Sequence, residues 1–222
     1  MSSEIKIEKK ASDVIQPETP EAAREAIRSR QDLSGADLRD MNLQNMNAVS
    51  GVLRKTDLTH ADLSHSLLIK PNFFRAKVHE AAVHHTVFLG GDLVRTSFKG
   101  SDLSDCALIG VDAEEADFED AILRNAGLVS SDLQNASFRN ANLENTRLAA
   151  LDVSGADFTD AKTTGARAYH VNWKDARVPP QLIPAPFIEL PKWAWSALIG
   201  GFIGVLSILI YALIRRKKQP DS

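Results

Sequence analysis

Large apolar residues recur at every fifth position along most of this chain. From Leu33 to Val178, thirty residues have numbers ending in 3 or 8; fifteen are Leu, six Phe, four Val and one is Trp173. The exceptions are Ala48, Ala113, Thr163 and Ala168. Two residues earlier, thirteen positions are Ala and ten more are Gly, Ser, Thr or Cys. An amphipathic helix repeats near 3.6 residues and a half-buried strand at 2. A strict period of five fits neither. It predicts a repeat array in which large and small inward side chains alternate with outward polar ones, its phase unbroken from Leu33 to Val178.

The best copies read Ala36-Asp37-Leu38, Ala61-Asp62-Leu63, Ala116-Asp117-Phe118, Ala141-Asn142-Leu143 and Ala156-Asp157-Phe158. This resembles the pentapeptide-repeat family, whose consensus is A-(D/N)-L-x-x, over residues 31–178. The resemblance implies an all-β repeat fold: a right-handed quadrilateral β-helix (solenoid) with four pentapeptides, twenty residues, in each coil. The large central residue and the small residue two before it would point inward. Leu38, Leu63, Phe98, Phe118, Phe138, Leu143 and Phe158 are then core residues.

A twenty-residue coil makes its own demands on the sequence. Stepping by twenty from Phe98 reaches Phe118, Phe138 and Phe158. Coils stacked at about 4.8 Å would bring these rings into one interior ladder. The same step aligns Val49, Ile69, Leu89, Ile109 and Val129 at outward positions, beside Leu67, Val87 and Ala107. One face of the rod is thus predicted to be apolar outside as well as inside. The other three are mostly polar, with exceptions such as Val52, Phe74, Val94 and Ile122. Seven and a half coils give a rod of roughly 35 Å.

Such a rod needs caps, because each coil is buried only by its neighbours. Residues 1–18 are polar and are expected to be disordered. Thr19-Pro20-Glu21 reads as an N-cap, a proline in the first turn and an acidic residue suited to the helix dipole. A short helix over residues 19–30 would cap the first coil. Five of the nine prolines fall between Pro179 and Pro191, which predicts an extended linker over 179–192. Leu182, Ile183, Phe187 and Ile188 are placed to fold back over the last coil. Residues 193–214 carry no charge and are long enough at about 1.5 Å per residue to cross about 30 Å of hydrocarbon. Trp193, Trp195 and Tyr211 stand near its ends, and Arg215, Arg216, Lys217 and Lys218 open the basic tail 215–222. One C-terminal transmembrane helix is therefore expected, making the membrane itself a single-pass partner. Ser196, Gly200 and Gly204 share one face of that helix, the small-residue spacing through which membrane helices associate.

Composition narrows the function without supplying it. The formal net charge is -3, too small to suggest a nucleic-acid binder. Residues 31–178 hold twenty-one acidic and fifteen basic residues, interleaved on most faces. Some members of the family that this sequence resembles imitate duplex DNA in shape and charge and bind DNA gyrase; that needs a long continuous acidic face. Five of six histidines (His60, His65, His79, His84 and His85) cluster, without the Cys or carboxylate set that a metal would need. The lone Cys106 occupies an inward small position and reads as core. No nucleophile elbow, Walker loop, dinucleotide fingerprint or zinc-protease motif is present, so no enzyme and no cofactor is expected.

The expectation is a non-catalytic, membrane-anchored scaffold that presents a repeat rod to a protein partner. Val49, Ile69, Leu89, Ile109 and Val129 form its candidate interaction face. Homodimers through that face or through the membrane helix are the assemblies considered. A DNA-mimic protector of an enzyme such as gyrase is the alternative. With no signal sequence at the N-terminus, the anchor reads as a tail anchor and the rod as cytoplasmic. The positive-inside tendency of the basic tail pulls the other way.

Overall fold

A computed structural model describes residues 14–186. Contact density divides the chain between Ala185 and Pro186. Described are one helix, α1 (Pro20–Arg28), and eight strands: β1 (Asn47–Val49), β2 (Leu67–Ile69), β3 (Val87–Leu89), β4 (Ala107–Ile109), β5 (Gly127–Val129), β6 (Arg147–Leu151), β7 (Arg167–Val171) and β8 (Ala185–Pro186). Strands β1 to β7 pair in parallel and in sequence order, each residue opposite the one twenty positions on, as Val49 is opposite Ile69. Three further columns of parallel bridges keep that step, beginning Asp32–Val52, Asp37–Asp57 and Asn42–Asp62. The chain is thus a four-sided parallel solenoid of twenty-residue coils.

The ladder explains the repeat. In each pentapeptide the central residue donates its N–H to the next coil and the residue before it donates to the previous one. Leu58 reaches the Lys77 carbonyl at 2.7 Å, and Asp57 reaches that of Ala36 at 3.0 Å. The small residue closes the turn, as Ala61 N–H does on Leu58 carbonyl at 3.0 Å. The fifth residue takes a left-handed conformation: twenty-three non-glycine residues have φ between 49° and 61°. Each costs on the order of 1 kcal/mol. Asn, Asp and His tolerate that region best and occupy most of these corners. The aspartate of the consensus eases the same turn, since its carboxylate accepts the N–H two residues on. Asp62 accepts from Ser64, Asp102 from Ser104 and Asp117 from Glu119, each at 2.9 Å.

The interior is one side chain deep. Leu38, Leu63, Phe98, Phe118, Phe138, Leu143 and Phe158 are all buried. The phenylalanine rings stack at 5.2, 4.9 and 4.8 Å between centroids, and are within 8° of parallel. Hydroxyls at small inward positions are satisfied by the coil before: Thr86 donates to Leu63 carbonyl and Thr96 to that of Phe73, both at 2.8 Å. Cys106 donates its thiol to Val83 carbonyl at 2.8 Å, and burial pushes that thiol up to about 12. Backbone also comes close. A β-carbon on Gly91 (φ +111°) would lie 2.6 Å from Pro71 in the coil below.

Both ends depart from the sequence expectation. Residues 14–18, expected to be disordered, lie against the first coils. Val14 packs on the core, Pro17 is buried, and the Gln16 amide accepts the Asp37 N–H at 2.9 Å. Their few apolar atoms find a ready surface that polarity counts overlook. Thr19 caps α1 by accepting the Ala22 N–H at 3.2 Å, and Ala23, Ala26 and Ile27 are buried against coil one. At the other end the five-residue phase slips by one. Asp157 pairs with Val178 rather than residue 177, and Gly155 donates to Asp175. Val178, expected inside, is 36% exposed, while Trp173 closes the phenylalanine ladder edge-on to Phe158 at 5.3 Å. A wide indole at the end of a narrow interior needs the extra residue. Leu182 and Ile183 do not cover the coil: they are 57% and 49% exposed, and the Leu182 carbonyl instead accepts the Thr163 hydroxyl.

No helix among the described residues is long and apolar enough to cross a membrane. The expected span 193–214, with Ser196, Gly200 and Gly204, lies outside the described residues, as do 1–13, 187–192 and the tail 215–222.

Removing one ring from the ladder leaves its neighbours without a partner on one side. Phe118→Ala is expected to cost about 3–5 kcal/mol in denaturant unfolding. The slipped coil is held by Asp157, only 2% exposed, which accepts from Arg177 at 2.7 Å, Arg139 at 3.2 Å and the Thr159 N–H at 2.9 Å. Burial raises its carboxyl, and the hydrogen bonds from Thr159 and Arg177 outweigh burial, lowering it from 3.8 to about 2. A carboxylate depressed on folding stabilises the protein above its unfolded pKa, and that contribution fades as pH falls through the folded one. Asp157→Asn should therefore melt lower than wild type near pH 7. It should also lose less stability than wild type between about pH 4 and about pH 2.

Candidate interaction face

The ladder of β1 to β7, with β8 at its edge, makes one flat side of the solenoid. Alternate residues of a strand point to opposite faces, so the middle residue of each strand is interior and its two neighbours are exterior. The burial of β2 to β5 follows this pattern, with a buried centre between half-buried flanks. Register then stacks Val49, Ile69, Leu89, Ile109 and Val129 into one outward column. Val49 is 42% exposed; the others are half-buried because each shields the next. Leu67, Val87, Ala107 and Gly127 run alongside in the other outward column.

The structure extends this face beyond the residues picked out by sequence. Ala149 and Tyr169 continue the first column through β6 and β7, and Arg147 and Arg167 end the second. The twenty-residue step contains them; they were missed because Ala and Arg break the apolar run that drew attention to the column. Of the described flanking segments, β8 is the edge strand of this sheet beside β7, and the Arg30 side chain donates to the Val49 carbonyl at 3.2 Å. Gln16 bonds Asp37 on a different side, and Gln181 reaches Asp160.

Polar chemistry on the other sides is spent within the rod. Arg95 pairs with Glu115 at 2.7 Å, Lys99 with Glu119 at 3.0 Å, and Arg124 with Glu144 at 3.6 Å, each to the next coil. The Arg95 hydrogen bond holds the Glu115 carboxyl below its usual range. Arg54 and Arg75 lie over the Phe74 ring at 5.2 and 5.0 Å. His65 and His85 stack at 4.9 Å with His84 edge-on to both. Among the described residues no group of three or more His, Cys, Asp or Glu is arranged to hold a metal ion. An open depression near the slipped coil is lined by Leu151, Val153, Ser154 and His170 among others.

A family model described as Pentapeptide repeats matches eight copies, over residues 32–68, 101–140 and 128–165. With the coil geometry, that match supports the pentapeptide-repeat family for this chain. Solved structures similar to it include full-length QnrB1, a plasmid-mediated fluoroquinolone resistance protein, at 18% identity and a TM-score of 0.42, covering 78% of this chain and 92% of that one. HetL, a pentapeptide-repeat protein involved in heterocyst differentiation regulation in the cyanobacterium Nostoc sp. strain PCC 7120, matches at 23% identity and a TM-score of 0.26, covering 69% and 85%. A pentapeptide-repeat protein of the Arabidopsis thaliana thylakoid lumen matches at 25% identity and a TM-score of 0.27, covering 62% and 71%. No curated protein matches.

Proposed function

We propose that this chain is a non-catalytic interaction module that is held at a membrane by residues 193–214 and offers the β1–β7 face to a protein partner. The observation that carries the reading is the continuous apolar outward column from Val49 to Val129 on a rod whose other sides are mostly polar. A stripe of aliphatic side chains several coils long is unusual on a surface meant only for water. It is also built on parallel ladder strands, so its side chains stand at fixed spacing and are ordered before a partner arrives, which lowers the entropy cost of binding. The anchor is supported by the sequence of 193–214, and a tail anchor would leave the rod on the cytoplasmic side.

The DNA-mimic alternative draws less support. Arg95, Lys99 and Arg124 neutralise acidic neighbours on successive coils. Several aspartates that would imitate phosphates also have an oxygen committed to a turn N–H.

The test uses the full chain in cells, carrying a photo-crosslinking amino acid at Ile69. Discrete crosslinked products in the carbonate-resistant membrane fraction are expected, and Leu89→Asp with Ile109→Asp should abolish them without changing the melting temperature. Recovery of all the protein in the soluble fraction removes the anchor from the reading. Crosslinks unchanged by the double substitution remove the face.

A further inference from the structure

The two outward columns of the apolar face have an order that the interaction reading above does not require. Over β1 to β5, before Ala149 and Tyr169, the first reads Val49, Ile69, Leu89, Ile109, Val129, the same in either direction about Leu89. From β2 to β5, between Asn47 and Arg147, the second reads Leu67, Val87, Ala107, Gly127 and loses bulk at each coil. At its small end a β-carbon on Gly127 would meet nothing within 4 Å, and the same holds for Gly110 at the adjoining corner.

We infer that the partner of this face is a second copy of the chain, packed face to face with its rod antiparallel. The inference rests on the β1–β7 face being an interaction surface. A two-fold axis along β3 lays each column on itself in reverse. Val49 then meets Val129, Ile69 meets Ile109, and Leu89 meets its own counterpart. In the tapering column Leu67 falls opposite Ala107, Asn47 opposite Gly127, and Val87 opposite Val87. In the tapering column large thus meets small on either side of the axis and Val87 meets its equal on it, which keeps the gap between the sheets near constant over β1 to β5. The corner column does the same, placing Lys70 against Gly110. Parallel rods would set Leu67 and Ile69 of both copies together at one end and Ala107 and Gly127 at the other, leaving a wedge-shaped void. Close packing disfavours such a void. A C2 contact of this kind is isologous and closes at two, so it does not propagate into a fibre.

The overlap also sets the strength. Five strands about 4.8 Å apart and about five residues of about 3.3 Å across present on the order of 400 Å² per copy, about 800 Å² in all. Stable complexes usually bury about 1,200 Å² or more. The dimer is weak in dilute solution and forms where the chain is concentrated, as tethering to one surface would do.

Single cysteines in the full-length, membrane-bound chain on a Cys106→Ala background test the arrangement with a short bismaleimide. Leu89→Cys should crosslink to itself. Ile69→Cys mixed with Ile109→Cys should give a hetero-crosslink at least tenfold above either alone, and adding Leu89→Arg should return it to background. Equal 69–69 and 109–109 products would overturn the antiparallel arrangement. Absence of all dimer products would overturn the second copy as partner. In that case a crosslink from Ile69 to another protein, lost in Leu89→Asp with Ile109→Asp, would leave the interaction reading standing; no product of any kind would remove both.

Discussion

The hydrogen-bond ladder between residues twenty apart is the constraint on which everything else in this rod depends. A parallel ladder in which each coil donates up and down at fixed positions fixes coil length wherever a coil is stacked on both sides; only the last coil takes an extra residue. One residue more or less would move every interior side chain toward an edge. The corners follow from it. To turn the chain four times in twenty residues, every fifth residue enters the left-handed region, and the ladder outweighs that local cost. The narrow bore follows too, because backbone from four sides meets around a single layer of side chains. Gly91 under Pro71 and the hydroxyls of Thr86 and Thr96 on the carbonyls below are what such closeness requires.

The same constraint explains why the faces differ in what they offer. Three sides are crossed by single bridges and are dominated by corners, where Asp, Asn and His are favoured and where Arg and Glu of successive coils neutralise one another. The fourth carries continuous strands, whose flat surface suits aliphatic residues. The apolar character of the flat side thus follows from geometry as much as from composition. Charge on the corners faces solvent, while the sheet side carries the aliphatic residues.

The interior and the repeat were legible in the sequence, because a period of five held in one register needs no tertiary knowledge to detect. The ladder Phe98–Phe118–Phe138–Phe158 lies where a twenty-residue step puts it. The ends were less legible. Residues 14–18 have no pattern of their own and are placed by the coil they lie on. The slip at Asp157–Val178 is invisible in a column of residue numbers, since Val178 is apolar and stands where the period wants an apolar residue. Only the bulk of Trp173 and the pairing of Arg139 and Arg177 with Asp157 fix which residue turns inward.

The sequence by itself determined the coil: which residues are inside, how long each turn is, and which side is apolar. It could do so because each coil repeats the same local problem, and local solutions are written in local residues. The tertiary structure decided what depends on neighbours rather than on period. It placed residues 14–18 against the first coils, shifted the last coil by one residue, and satisfied the interior hydroxyls across coils. It also showed that Ala149 and Tyr169 belong to the apolar side while the taper from Leu67 to Gly127 lies beside a near-level ridge. Those are properties of surfaces, and a surface exists only once the ladder has brought distant residues to a common plane.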